Sequence, residues 1–203
     1  MLDTSGSMYG EPIQALNNAL SGMINNLRTD AQALDSLWIS IITFDREVKE
    51  LVPLTELVSF QLPEITCPQS GPTNTGMALD MLYHKATTEV RKSSAEQKGD
   101  WRPILFLFTD GKPSDLQLYR ESIPKIKSLN FATVVGCAAG PRADDRMLKE
   151  LTDNVLHLDT ADSATLKQFF KWVSDAIEHG NKSMGTTDSI TLPPPPSELN
   201  LVI

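Results

Sequence analysis

Short apolar and β-branched runs alternate along this chain with longer stretches of helical periodicity. That alternation constrains the fold most. Strands joined through helices form right-handed parallel units, and these pack as layers around one sheet. Ile13, Leu16, Leu20, Met23, Ile24 and Leu27 make one apolar helical stripe, with Pro12 suited to the first turn. Leu37–Phe44 reads as a buried strand and Val48–Val52 as a weaker one at an edge. Helix is predicted from Gly76 to about Thr88. Ile104–Phe108 is the strongest strand signal, and it stops at the dense turn Thr109-Asp110-Gly111-Lys112-Pro113. Ser114 and Gln117 have the spacing of a capping box for a helix over 114–128. A strand at Phe131–Ala138, a short helix at Arg146–Leu151 and a strand at Asn154–Leu158 follow. Leu166, Phe169, Phe170, Val173 and Ile177 mark a last helix ending near Gly180. The expectation is an α/β domain over residues 1–180, doubly wound, with a mostly parallel sheet and helices on both faces. From Asn181 the periodicity fails, and Pro193–Pro196 favours polyproline II, so 181–203 is expected to be a Pro-rich, disordered tail.

Charge narrows the partners. Acidic residues number 26 against 18 basic ones, for a net charge of −8 and a pI near 4.9. Nucleic acid and anionic membranes call for a basic face, so neither is an expected partner. The longest apolar run, Ile104–Phe108, is far shorter than the ~20 residues that span a bilayer. Cys67 and Cys137 do not make a disulfide framework, and Met1-Leu2-Asp3 has neither a basic nor an apolar leader pattern. A reduced, cytoplasmic protein is the expectation.

Three segments carry oxygen chemistry. Asp3-Thr4-Ser5-Gly6-Ser7 places a carboxylate and two hydroxyls at alternating positions. Asp110 follows the strongest strand, and Gly71-Pro72-Thr73-Asn74-Thr75-Gly76 leads into a helix. All three fall at the sheet edge where doubly wound folds bind ligands. Carboxylates and hydroxyls are hard donors suited to Mg²⁺ or Mn²⁺, whereas zinc favours Cys and His. Other chemistries fail on residues. Gly71 to Gly76 has phosphate-loop spacing, but Met77 and Ala78 stand where Lys and Ser/Thr are required. No dinucleotide fingerprint follows a strand, and no nucleophile elbow is present. His84, His157 and His179 are scattered and read as structural or surface residues. Cys137 reads as a buried small hydrophobe, Cys67 as a loop thiol, and Asp45 as a turn cap.

Asp3-x-Ser5-x-Ser7, then Thr73, then Asp110 before a glycine, resembles the metal ion-dependent adhesion site of von Willebrand factor type A domains. Asp3–Ile13, Ile42–Asp45, Val52–Leu57, Lys98–Trp101 and His157–Thr165 further resemble the TerY-like, tellurium-resistance branch. The resemblance implies a Rossmann-like sheet. It implies that Ser5, Ser7 and Thr73 contact a Mg²⁺ or Mn²⁺ ion, while Asp3 and Asp110 hold its waters and the serine hydroxyls. The family pattern favours Thr73 over Thr75, leaving Thr75 to cap the helix. Neutral hydroxyls leave such a cation poorly neutralised, so a partner's Asp or Glu completes its shell. The implied function is a non-enzymatic protein-binding module in cytoplasmic stress or tellurium-resistance signalling. Two alternatives stay open: a Mg²⁺-dependent phosphate-handling enzyme, and a scaffold acting through its Pro-rich tail.

One departure stands out. Related domains place a strongly apolar strand before the Asp-x-Ser-x-Ser motif, at the centre of the sheet. Only Met1 and Leu2 precede Asp3 here, so that strand is expected to be missing. A misassigned start, a decayed fragment, and a strand donated by a partner all account for it.

Overall fold

The computed structural model describes residues 1–92, 96–97, 99–129, 131–141, 143–183, 192–196 and 199–202. Its strands are β1 (Leu2–Asp3), β2 (Trp38–Phe44), β3 (Val48–Glu56), β4 (Ile104–Thr109), β5 (Thr133–Ala139), β6 (Asn154–Leu158) and β7 (Asn200–Val202). Its helices are α1 (Glu11–Leu27), α2 (Ala31–Ser36), α3 (Thr75–Glu89), α4 (Leu116–Ser128), α5 (Asp145–Leu151) and α6 (Ser163–Ser183). The strands form one sheet in the order β3-β2-β1-β4-β5-β6-β7. The inner pairs are parallel, and only the outer strands β3 and β7 run antiparallel to their neighbours.

Burial on both faces explains the apolar strand runs. Phe108, Cys137 and Leu156 belong to the core shared with α1 and α6, while Leu107, Ala138 and Val155 belong to the core shared with α3, α4 and α5. Successive residues thus point to opposite layers, as a pleated strand requires. Aromatic packing anchors α6: Phe169 lies 6.2 Å from Phe108 and 5.0 Å from Phe170, centroid to centroid.

Several local expectations are corrected. The box of Ser114 and Gln117 does not form, and α4 begins at Leu116. Ser114 Oγ instead accepts from Thr73 N–H at 2.9 Å. Thr75 does not cap α3, and its buried hydroxyl has no hydrogen-bond partner among the described residues. Asp115 caps α3 from outside, accepting from Gly76 N–H at 3.0 Å and Met77 N–H at 2.8 Å. The six-residue α2 is too short to show periodicity; Asp30 starts it by accepting from Gln32 N–H at 2.9 Å.

The tail also departs from expectation. Residues 184–191, 197–198 and 203 lie outside the described residues. Of the rest, Pro193 O accepts from Trp172 Nε1–H of α6 at 3.0 Å. Leu199 is 2% exposed, and β7 adds to β6 with Val202 opposite Val155. A three-residue edge strand has no period to read, so this docking is invisible in the sequence. Leu199→Ala is expected to cost about 2–3 kcal/mol in urea denaturation. A tail making no contact would leave the midpoint unmoved.

The central strand is short but present. Leu2 and Asp3 lie between β2 and β4, with Leu2 opposite Thr43 and Phe108 and Asp3 opposite Phe44. The central strand, expected to be missing, is therefore present at Leu2 and Asp3.

Candidate metal centre

Connections from β1 proceed to β2 and β3 on one side, and those from β4 proceed to β5 and β6 on the other. The carboxyl ends of β1 and β4 thus flank the point where the winding reverses, the usual crevice of this architecture. Asp3 ends β1, and Asp110 follows the last residue of β4.

Backbone and hydroxyl groups close the two loops onto each other. Asp3 is fully buried; its Oδ1 accepts from Ser5 N–H at 2.8 Å and its Oδ2 from Thr109 Oγ1–H at 2.6 Å. A tight turn at Gly6–Met8, held by Met8 N–H to Ser5 O at 2.9 Å, brings Ser5 Oγ and Ser7 Oγ to 3.0 Å. Ser7 Oγ then donates to Asp110 Oδ1 at 2.6 Å. Asp3, Ser5, Ser7 and Asp110 are therefore one hydrogen-bonded group. Thr73 comes from a third loop, and a Cβ placed on Gly111 would lie 3.4 Å from its Oγ1. Thr73 O accepts from Ser114 N–H at 2.8 Å, tying that loop to the chain after Asp110. The structure thus gathers all five motif residues at one sheet edge.

Three further contributors escaped the sequence reading. Thr109 holds Asp3, but in sequence it is an ordinary β-branched residue ending a strand. Asp45 does cap its turn, accepting from Glu47 N–H at 2.8 Å, and it also accepts from Thr4 Oγ1–H at 3.3 Å. Cys67 lies near enough to feel Asp45, Asp3 and Asp110; burial first, and then those carboxylates, push its thiol pKa up and keep it protonated. The histidines lie elsewhere. His84 is exposed 3.6 Å from Asp80, and His157 Nδ1 meets Asp145 at 2.8 Å. The His179 side chain is outside the described residues. Cys137 is buried in β5.

Electrostatics favours a cation here. Burial raises the Asp3 pKa to about 6, and Asp110 adds to the rise, against hydrogen bonds from Ser5 and Thr109. Among the described residues no group of three or more His, Cys, Asp or Glu is placed to hold a metal. The oxygens gathered at this edge are the hydroxyls of Ser5, Ser7 and Thr73 and the carboxylates of Asp3 and Asp110, donors of the kind a hard divalent cation would take.

A doubly wound α/β domain with an Asp-x-Ser-x-Ser loop at its switch point defines a class of metal-site domains. The chain belongs to the von Willebrand factor type A domain family, whose model matches residues 1–172. No curated protein sequence matches it. Proximal thread matrix protein 1 of the mussel byssus superposes with a TM-score of 0.62 at 21% identity, over 86% of this chain and 45% of that one. The same mussel protein with a zinc-occupied MIDAS motif gives 0.57 at 20% identity, over 86% and 46%. Manganese-loaded TRAP protein of Plasmodium vivax gives 0.52 at 20% identity, over 83% of this chain and 70% of that one. Likeness at these identities establishes the fold. The chain spans less than half the length of the mussel protein. None of these proteins belongs by name to a tellurium-resistance system. In the mussel protein the motif of that name is occupied by zinc.

Proposed function

We propose that this domain is a non-enzymatic binding module that captures an acidic side chain of a protein partner through a divalent cation. Ser5, Ser7 and Thr73 contact the ion, and Asp3 and Asp110 hold its waters and the serine hydroxyls. The observation that carries this reading is the continuous link from Ser5 through Ser7 to Asp110, at the strand end where the Asp3 carboxyl is buried. Mg²⁺ or Mn²⁺ is the ion, a choice supported by the oxygen donors and by the manganese in the TRAP protein. The net charge of −8 supports a protein partner over nucleic acid or anionic lipid. Among the described residues no helix is long and apolar enough to cross a membrane. A cytoplasmic, bacterial tellurium-resistance setting is proposed on the likeness of the short segments from Asp3–Ile13 to His157–Thr165.

Affinity capture from lysate in Mn²⁺ tests the reading. The captured protein is expected to leave with EDTA and to be lost in Ser5→Ala/Ser7→Ala. Capture surviving both treatments removes the metal from the mechanism. Mg²⁺-dependent turnover of an aryl phosphate, lost in Asp3→Ala, replaces binding with catalysis.

A further inference from the structure

Large side chains with exposed apolar surface stand beside the metal centre. Tyr9 is 53% exposed, Met77 42% and Leu116 38%. Each sits at the start of a helix. Tyr9 follows the tight turn that carries Ser7 and precedes α1, Met77 lies in the first turn of α3, and Leu116 opens α4. α1 and α4 begin beyond the ends of β1 and β4, and the pairing of Thr73 with Ser114 brings the start of α3 to the same edge. Asp115 ties the starts of α3 and α4 together: its Oδ2 accepts from Met77 N–H at 2.8 Å, and Leu116 is the next residue. On the Ser7 side, Gln69 Nε2–H donates to Tyr9 Oη at 3.3 Å. Helix amphipathicity does not account for Met77, since the other exposed residues of α3 are the polar His84, Thr87, Thr88 and Glu89.

We propose that the metal face binds an extended segment of a protein partner of the pattern apolar-x-acid-x-apolar, with the Asp or Glu on the cation. The inference rests on the cation-mediated reading above and adds the residues on either side of the acid. One apolar side chain packs on Met77 and Leu116, the other on Tyr9. Alternate residues of an extended segment face the same way about 7 Å apart, so the residues two before and two after the acid meet the rim with it.

Energetics calls for such flanks. A lone carboxylate that replaces a metal-bound water gives up its own hydration and the water's bond, and it also bears the entropy cost of association. Apolar contact around it supplies further affinity and excludes water from the carboxylate–cation bond. Apolar surface continuous with a binding site marks a partner surface. Charge at this edge agrees with an acidic partner. Arg46 is exposed beside the Thr73 loop, its backbone O accepting from Asn74 Nδ2–H at 3.0 Å, while the neighbouring Glu47 pairs with Lys49 at 2.9 Å.

The blocked peptides Leu-Thr-Glu-Thr-Leu and Ser-Thr-Glu-Thr-Ser are titrated into the full chain in Mg²⁺ and followed by NMR. The Leu peptide is expected to bind at least about tenfold more tightly. EDTA, or Gln in place of the peptide's Glu, is expected to abolish binding of both. Met77→Ser/Leu116→Ser is expected to cut the advantage of the Leu peptide at least about threefold, with calorimetric Mn²⁺ affinity unchanged, because it alters exposed side chains outside the motif. Equal, metal-dependent affinities for the two peptides overturn the apolar flanks and leave the cation-mediated reading standing. Binding of the Leu peptide that survives both EDTA and the Gln exchange overturns that reading and the proposal with it. No response to either peptide at about 10 mM, in a chain that binds Mn²⁺, overturns the proposal.

Discussion

Asp3→Asn is expected to lower divalent-cation affinity by about a hundredfold while stabilising the metal-free domain at neutral pH. Both effects come from one buried carboxylate. Its pKa rises from 3.8 to about 6 on folding, chiefly because burial removes solvent from the charge. Below 3.8 folded and unfolded chains both hold the proton, and the group contributes no penalty. Between 3.8 and about 6 the unfolded chain releases its proton first, so stability falls as pH rises. Above that window the penalty is constant, at about 3 kcal/mol. Asparagine keeps an oxygen for the Ser5 N–H and carries no charge, so its profile stays flat over the window. A bound cation compensates the carboxylate and flattens the wild-type profile too. Urea denaturation from pH 4 to 7.5, in EDTA and in Mn²⁺, measures all three curves. Identical slopes for wild type and Asp3→Asn in EDTA would show that Asp3 is not the titrating group.

Gly6→Ala is expected to abolish cation binding and to cost about 2–3 kcal/mol. A Cβ on Gly6 would lie 2.4 Å from Ser70 Cα and 2.8 Å from Gly71 N. Both are backbone atoms, so a loop must retreat. Ser5 and Ser7 flank Gly6, and their contacts of 3.0 Å to each other and 2.6 Å to Asp110 leave no room for such a shift. Gly71→Ala is the control. Its Cβ would meet Pro68 Cγ at 3.6 Å, an ordinary contact, and it is expected to change stability by less than about 0.5 kcal/mol. Calorimetric titration with Mn²⁺ and thermal unfolding of both variants separate loop damage from general loss of fold.

The inner sheet was legible because its strands are buried on two faces. Such burial leaves continuous apolar runs, as at Leu37–Phe44 and Ile104–Phe108. The motif was legible because its hydroxyls and carboxylates lie at fixed spacings in loops beside those strands. Contacts between distant residues were not. Asp115 capping α3, Thr109 holding Asp3, and Trp172 meeting Pro193 each join segments whose neighbourhood only the folded chain defines. Nor does a strand of three residues, like β7, carry enough alternation to be distinguished from a loop.

The loop bearing Thr73 owes its seat to a helix other than the one it introduces. Ser114 grips both backbone groups of Thr73, and its neighbour Asp115 fastens the first turn of α3. The spacing between Thr73 and Asp110 is thus inherited from two residues outside the motif. Two domains with identical signature residues but different occupants at 114 and 115 would hold the same ion with different strength.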